Sequence, residues 1–459
     1  MTDKCILSRF VAAVRNPIFP RSLFAYFRGR ISNRGIQLRS GTRQEFRFPQ
    51  LSKVLTTSST KLATKFLEVP PRKIASAVSA PRSIALFARM AIVLFGLIGP
   101  LNSVGSLSAQ TVAVSEVTKA APKFDEDQSF AHLEDVCAFG RRLSGSRGMR
   151  QQQDYLRKHF QSLGAEVFMQ PFIARDPRDG SQAQLANMIV RFHPHRSKRL
   201  LLCCHYDTRP FPDRDRRNPH GVFIGANDGG SGVAILCELG RHMQSLSGES
   251  KLDPATGADR ALDGQPKTDD GKYGIDFAFF DGEEFVYVAR RDPMFLGSTH
   301  FANEYARTGR PPEPKVSFDP PGQPPAVRPA NSRYVFAILI DMVGDKNLQI
   351  YYEGNSLTYA PRLTKSIWDV AARMKIKEFI PKQKHNIRDD HLPLNQIARI
   401  PTCDIIDFDF PSARRKHAYW HTEADVVKNC SAKSLGSVGS VLLQWLNEMQ
   451  QLAQSHPSN

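Results

Sequence analysis

The sequence predicts a three-layer α/β/α domain built on a central mixed, mostly parallel sheet. Short apolar runs typical of buried strands alternate with longer runs of helical periodicity, and this alternation is typical of α/β domains. Three of the strand-like runs, 201–204, 275–280 and 334–340, lead directly into histidine, glutamate or aspartate. Sites in open α/β sheets form beyond the carboxyl ends of the strands, so these residues are expected to meet at one edge of the sheet.

The predicted elements follow one another along most of the chain. Two helices are predicted within 127–164, the second of them at 149–163, and further helices at 233–243, 356–374 and 434–452. Strands are predicted at 166–173, 188–192, 201–205, 275–280 and 334–340. Two insertions rich in Gly, Pro or charged residues, 248–274 and 309–330, fall between these elements and are predicted to be surface loops. The segment 209–222, rich in Pro, Asp and Arg, is predicted to form the rim of the site.

The first 109 residues differ in composition from the rest of the chain. Residues 1–83 are rich in arginine and serine and poor in acids, which predicts a disordered basic leader. Residues 84–109 hold an apolar run between basic and small residues, which is typical of a signal-peptide core or a signal anchor. A linker is expected at 110–126 and the α/β domain at 127–455. We therefore expect an exported protein, either periplasmic or secreted, or one anchored to a membrane by the apolar segment.

The charge distribution argues against a nucleic-acid partner. The formal net charge is +17, but the first 89 residues hold 17 basic and 3 acidic side chains, whereas the other 370 hold 45 and 42. The part of the chain with the α/β pattern is therefore almost neutral, and it has no basic patch interleaved with aromatic residues. Nothing in the sequence indicates an oligomeric state.

Imidazole and carboxylate groups stand at the ends of the predicted strands and in the turns between elements. The residues that can form a mixed nitrogen and oxygen zinc site are His205, Asp228, Glu284, Asp341 and His421. Each alone has a common structural explanation, because a histidine at a strand end is more often a hydrogen-bonded structural residue and an aspartate before Gly-Gly a turn former. Their joint occurrence, each at the end of an element or in a turn, favours a metal site.

Two further acids are expected to support that site. Glu283 adjoins Glu284, and of two adjacent glutamates at a strand end one can bind a metal while the other moves protons. Asp207 lies two residues after His205, where a carboxylate can orient the imidazole ring.

These motifs resemble the M28 metallopeptidase superfamily and, within it, the glutaminyl-peptide cyclotransferases (glutaminyl cyclases) of bacterial type. The similarity runs from about residue 130 to the C-terminus. The matching segments are GRRLSGS at 140–146, HYDTRP at 205–210, GANDGGSGVA at 225–234, FFDGEE at 279–284, FLGSTH at 295–300, LIDMVGD at 339–345, DDHLPL at 389–394 and WHT at 420–422. The resemblance implies a zinc-exopeptidase-like fold and an enzyme that converts the N-terminal glutamine of peptides to pyroglutamate and releases ammonia.

The resemblance also implies roles for individual residues. The zinc ligands that it implies are Asp228, Glu284 and His421, which bind a single ion. Glu283 matches the proton shuttle, and the matching catalytic aspartates are Asp341 and Asp389. Trp420 is expected to form a wall of the substrate pocket, although a place in the core suits a tryptophan equally well.

Aminopeptidases of the superfamily are the main alternative. They use the same framework with two metals, and here the second would be held by His205 and Asp341 with Asp228 bridging. Glu283 is the general base and peptide N-termini are the substrates under either activity. Animal-type cyclases carry a tryptophan five residues beyond the metal-binding glutamate, where this chain has Ala289. An inactive binding module is disfavoured, because Glu283 and every matching ligand are present.

Overall fold

The described residues are 121–246, 269–314, 328–409 and 419–455 of a computed structural model, and they lie within the unit Thr111–Asn459. The predicted leader at 1–83 and the signal segment at 84–109 fall outside the described residues. The same is true of most of the two predicted insertions. Among the helices described, none has both the length and the apolar composition that crossing a membrane requires.

Eight strands and nine α-helices are formed by the described residues. The strands are β1 (Glu166–Arg175), β2 (Gln182–Phe192), β3 (Lys198–His205), β4 (Gly274–Phe280), β5 (Arg333–Asp341), β6 (Ile350–Glu353), β7 (Phe379–His385) and β8 (Thr402–Ile406). The helices are α1 (Glu126–Ala138), α2 (Arg147–Ser162), α3 (Gly230–Gly240), α4 (Met243–Leu246), α5 (Leu296–Thr308), α6 (Gly354–Tyr359), α7 (Pro361–Arg373), α8 (His391–Gln396) and α9 (Ala432–Ser455).

The main sheet has six strands in the order β1-β2-β4-β3-β5-β8. The pairs β4–β3, β3–β5 and β5–β8 are parallel, and the pairs β1–β2 and β2–β4 are antiparallel. The prediction of a mixed, mostly parallel sheet is therefore confirmed. The strand that ends at His205 lies in the interior of this sheet, as its unbroken apolar sequence predicts.

Alternating side chains of the sheet supply two separate apolar cores. On β3, Leu200, Leu202 and Cys204 belong to a core shared with α1, α2, α3, α7 and α9. The intervening Leu201 and Cys203 belong to a second core shared with α5 and α8. Successive strand residues point to opposite faces, so both faces of the sheet are covered by helices. This arrangement is the predicted three-layer α/β/α architecture.

Element boundaries differ from the prediction where local geometry or strand pairing decides them. The helix predicted over 356–374 is two helices, α6 and α7, because Pro361 cannot continue the hydrogen bonding of α6 and instead begins α7. Strand β2 begins at Gln182 rather than at residue 188. Its polar first half pairs with β1, in a register that brings Gln182 opposite Arg175. Helix α3 begins at Gly230, three residues before the predicted start.

Candidate active site

The central parallel strands end beside one another and deliver acids and a histidine to one edge of the sheet. His205 is the last residue of β3 and Asp341 is the last residue of β5. Glu283 and Glu284 follow β4 in a tight turn whose glycine, Gly282, has a φ of 81°. That left-handed backbone favours glycine, and it lets the chain turn back toward the strand ends.

A glycine also lets the loop before α3 approach the metal candidates. Gly229 has a φ of 90°, and a Cβ atom built on it would lie 2.9 Å from Cε1 of His205. A larger residue at this position would push the imidazole away or displace the loop that carries Asp228. The Asp-Gly-Gly sequence therefore permits the close contact between Asp228 and His205.

One buried cluster consists of Asp228, Glu284 and His421, whose ligand atoms lie within 4.8 Å of one another. Nε2 of His421 is 3.3 Å from Oδ2 of Asp228 and 3.3 Å from Oε1 of Glu284. The three residues come from the loop before α3, the loop after β4 and a turn near the C-terminus. His421 has a φ of 55°, a left-handed backbone conformation that is uncommon for a residue other than glycine. Strained conformations of this kind often occur at functional sites.

A second buried cluster consists of His205, Asp228 and Asp341. Nε2 of His205 is 3.2 Å from Oδ1 of Asp228 and 3.2 Å from Oδ1 of Asp341. Asp228 therefore belongs to both clusters and faces each with a different carboxylate oxygen. The structure thus brings together all five residues that the sequence nominates as metal ligands.

The residues of the first cluster fit a zinc ion. Oδ2 of Asp228 is buried and has no hydrogen-bond partner, which is costly for a carboxylate oxygen unless a cation binds to it. One imidazole nitrogen and carboxylate oxygens form a ligand set that zinc accepts. Burial opposes a charge on His421, but Glu284, Asp213 and Asp228 raise the pKa of His421 to about 10. A bound zinc ion would take the place of that proton.

Two aspartates hold the backbone on either side of the clusters. Asp425 accepts hydrogen bonds from the backbone N–H groups of Asn227, at 2.7 Å, and Asp228, at 3.1 Å. Asp207 accepts from the N–H groups of Glu283, at 3.2 Å, and Glu284, at 3.0 Å.

The contact between Asp207 and His205 is looser than the sequence suggested. Oδ1 of Asp207 lies 3.7 Å from Nδ1 of His205, which exceeds hydrogen-bond length. The strongest geometric role of Asp207 is therefore to fix the turn that carries the two glutamates.

Arg209 and Asp213 belong to the site although the sequence did not single them out. Arg209 forms a buried ion pair with Glu284 and donates from Nε to Oδ1 of Asp213 at 3.1 Å. The same oxygen lies 3.3 Å from Nδ1 of His421, the ring nitrogen that faces away from the cluster. Asp213 is thus placed to orient His421. Arg209 lies within the HYDTRP segment, but nothing in the sequence pairs it with a residue 75 positions away.

Glu283 is buried beside the first cluster and is not one of its members. Burial raises the pKa of Glu283 well above its ordinary value, and the negative charge of Glu284 raises it further. A carboxyl group in this environment can hold a proton near neutral pH and pass it on, which is what a proton shuttle requires.

Asp341 and Asp389 share the same acidic environment. Burial raises the pKa of both residues, most strongly for Asp389, and the charge of Asp341 adds to the shift of Asp389. Asp389 accepts the backbone N–H of Asp390 at 2.6 Å, and Asp390 accepts the hydroxyl of Ser298 at 2.5 Å. These contacts fix the start of α8 next to the candidate site.

Trp420 is partly exposed beside the first cluster. Its ring centroid is 4.4 Å from that of His421, and its side chain packs with Phe408 against a small apolar cluster formed by Met342, Ile387 and Ile406. This position suits a wall of a pocket next to the metal ligands. It also accounts for part of the packing, so the two interpretations of Trp420 given by the sequence are compatible.

Comparisons with known proteins agree with this geometry. Residues 187–446 match the model for "Peptidase family M28". The chain belongs to peptidase family M28. Within that family it is 23% identical over 326 residues to the glutaminyl-peptide cyclotransferase of Gloydius blomhoffii, which covers 67% of this chain and 78% of the relative.

Solved structures of a glutaminyl cyclase and of a zinc-dependent exopeptidase are also similar to this chain. The glutaminyl cyclase of Fimbriiglobus ruber is 32% identical with a TM-score of 0.57, covering 72% of this chain and 96% of that one. A Zn-dependent exopeptidase from Parabacteroides distasonis is 30% identical with a TM-score of 0.56, covering 71% and 99%. The predicted fold and the resemblance to glutaminyl cyclases within the M28 superfamily are therefore confirmed, and membership of this family implies zinc.

We expect Asp213→Asn to weaken zinc binding by about 10- to 100-fold, because the side chain that orients His421 would lose its charge. Competition with a chelator of known affinity measures the change. Asp179→Asn is the matched control, since Asp179 is an exposed aspartate that accepts the backbone N–H of Ser181 in the turn between β1 and β2. Equal zinc affinity in the Asp213 variant and the unchanged chain would show that Asp213 has no such role.

Proposed function

We propose that this chain is a zinc-dependent glutaminyl-peptide cyclotransferase. Its substrates are peptides or proteins with an N-terminal glutamine, and its products are the pyroglutamyl peptide and ammonia. The observation that carries the proposal is the buried cluster of Asp228, Glu284 and His421 with Glu283 beside it, in a chain whose relatives include named glutaminyl cyclases.

An asymmetry between the two clusters supports a single zinc ion. In the second cluster His205 and Asp341 share a hydrogen bond of 3.2 Å between Nε2 and Oδ1. In the first cluster Oδ2 of Asp228 is buried, has no hydrogen-bond partner and lies 3.3 Å from Nε2 of His421. The ligand atoms of the first cluster are therefore less engaged by hydrogen bonds, which favours a metal ion among them.

The reaction needs one proton to be moved from one nitrogen to another. When bound, zinc would polarise the side-chain amide carbonyl of the N-terminal glutamine. Glu283 takes a proton from the substrate α-amine as its nitrogen attacks the amide carbon. Glu283 then returns that proton to the departing nitrogen, so that ammonia leaves as the amide C–N bond breaks. The nucleophile is tethered to the electrophile, so the site mainly selects a folded conformer.

Asp341 and Asp389 set the electrostatic conditions for that transfer. The charges of Glu284 and Asp389 both raise the pKa of Glu283, so negative charge at either position makes the Glu283 carboxylate a stronger base for the proton of the substrate amine. Asp341 contacts His205 at 3.2 Å and raises the pKa of Asp389. We assign two roles to these aspartates. They bind the substrate α-amine, and their charges help to set the pKa of Glu283, Asp389 directly and Asp341 through Asp389.

Aminopeptidase activity is the second candidate, and the second cluster is the observation that favours it. His205, Asp228 and Asp341 could hold a second ion if His205 gave up its hydrogen bond with Asp341. Glu283 would then deprotonate a water molecule, and the first peptide bond of the substrate would be cleaved. Family M28 accommodates either activity.

Product analysis separates the two activities. The purified zinc-loaded chain is incubated with one peptide that begins with glutamine and a matched peptide that begins with leucine, and products are read by mass spectrometry. We expect loss of the mass of ammonia from the glutamine peptide and no change in the leucine peptide. Release of the first residue from either peptide would establish the aminopeptidase and overturn the cyclotransferase.

A second experiment tests the role of Glu283. Glu283→Gln should retain zinc and lower kcat by about 10²- to 10⁴-fold, because the amide cannot accept the proton of the substrate amine. Metal analysis and steady-state kinetics measure the two effects separately. The control is Glu448→Gln on α9, which changes an ion pair with Arg373 and a hydrogen bond from Gln444 and should leave both unchanged. Near-normal turnover in Glu283→Gln would assign the proton transfer elsewhere.

Export is also part of the proposal. It rests on the apolar run at 84–101 with basic residues before it and small residues after it. Fractionation of cells that make the chain with a C-terminal tag tests it, and retention of the full-length chain in the cytosol would contradict it. A membrane anchor would be revealed by recovery of the tag in the membrane fraction.

A further inference from the structure

Four exposed arginines lie in the two loops that carry Arg209, Asp213 and Glu284, and we call them the arginine rim. They are Arg214, Arg216, Arg217 and Arg290. The first three lie in the predicted rim segment 209–222, and Arg290 lies in the loop 284–292 that follows the metal-ligand candidate Glu284. None of the four forms a salt bridge with another described residue.

Arg214 is attached directly to the site. Its backbone N–H donates to the backbone oxygen of His421 at 3.1 Å. Its guanidinium carbon lies 3.8 Å from the ring centroid of Trp420, which stacks beside His421. The positive charge is therefore held over the outer wall of the pocket, one side chain away from the zinc ligands.

The loop that carries Arg290 lies next to the segment that carries Arg214. Rings of Phe211 and Tyr287 make an edge contact between the two loops, with centroids 6.3 Å apart. Burial lowers the pKa of Arg214, the charge of Asp213 raises it, and the charges of Arg209 and Arg290 lower it, so Arg290 acts electrostatically on Arg214. Neighbouring loops with a surplus of like charges attract an ion of the opposite sign.

The acids of these loops are held by other groups and offset only part of the positive charge, because the segment 209–222 holds four arginines and two aspartates. Asp213 faces Arg209 and His421, and Asp215 accepts backbone N–H groups of Arg217, Asn218 and Glu423. The remaining two acids are engaged in the same way. Glu423 accepts from the side chain of Asn218 and the N–H of Val222, and Asp292 accepts from Tyr287, Val288 and Arg291.

We propose that the arginine rim selects substrates whose second and third residues are acidic. The inference rests on the proposed function, because it assumes that the N-terminal glutamine occupies the pocket beside Trp420 and His421. A peptide bound this way would extend over the loops that carry the rim, where carboxylates at positions two and three meet a surplus of cations. Arginine suits this task, because its planar guanidinium pairs with a carboxylate through two hydrogen bonds.

The test uses the full zinc-loaded chain and three amidated peptides that differ only in charge: Gln-Glu-Glu-Ala, Gln-Gln-Gln-Ala and Gln-Lys-Lys-Ala. Release of ammonia gives kcat/KM for each. The Glu peptide should be used best and the Lys peptide worst, with each exposed contact contributing about two- to five-fold. The preference should shrink as salt concentration rises, since these charges are exposed to solvent.

Variants assign the preference to the rim. Arg290→Gln removes an exposed side chain, and together with Arg214→Gln it should lower the ratio of kcat/KM between the Glu and Gln peptides by about two-fold or more, while Arg216 and Arg217 remain. Arg333→Gln is the control, because Arg333 begins β5 at the end opposite Asp341, and it should keep the preference. Equal use of all three peptides by the unchanged chain, or a preference unaffected by the double variant, would overturn the proposal. Failure to release ammonia from any of them would instead contradict the cyclotransferase.

Discussion

The fixed position of Asp228 is the constraint on which the rest of the site depends. Its carboxylate stands between His205 and His421, and its backbone is held by Asp425, nearly 200 residues away in the sequence. The loop can take this position because Gly229 leaves room for the ring of His205. A shift of this loop by a fraction of an ångström would separate both clusters at once, since Asp228 is the residue that they share.

The site concentrates negative charge in the interior, and this has consequences for folding as well as catalysis. Glu283, Asp341 and Asp389 are all buried, and the pKa of each is raised. Burying several carboxyl groups costs stability unless cations or hydrogen bonds compensate for them. Arg209 supplies part of that compensation through Glu284, and a bound metal would supply more. The helices on both faces of the sheet provide the rigid frame that can hold such a destabilising group of residues.

Much of this could be predicted because it depends on local patterns. Apolar runs that end in His205 and Asp341 mark buried strands, and parallel strands necessarily bring their carboxyl ends to one edge. The metal-ligand candidates were therefore visible in the sequence. The partners Arg209, Asp213 and Asp425 were not, because each acts on a residue that only tertiary packing brings near. The break at Pro361 could have been predicted from the proline itself, which is disfavoured inside a helix.

The number of metal ions that the active chain requires decides between the two activities, because Asp228 could serve one ion or two. The most direct measurement is reactivation of metal-free chain by stepwise addition of zinc, with ammonia release from an N-terminal glutamine peptide as the signal. We predict that activity reaches its plateau at one equivalent of zinc and that X-ray absorption then reports one nitrogen and otherwise oxygen ligands. A plateau at two equivalents, accompanied by release of N-terminal residues, would contradict the single-zinc cyclotransferase.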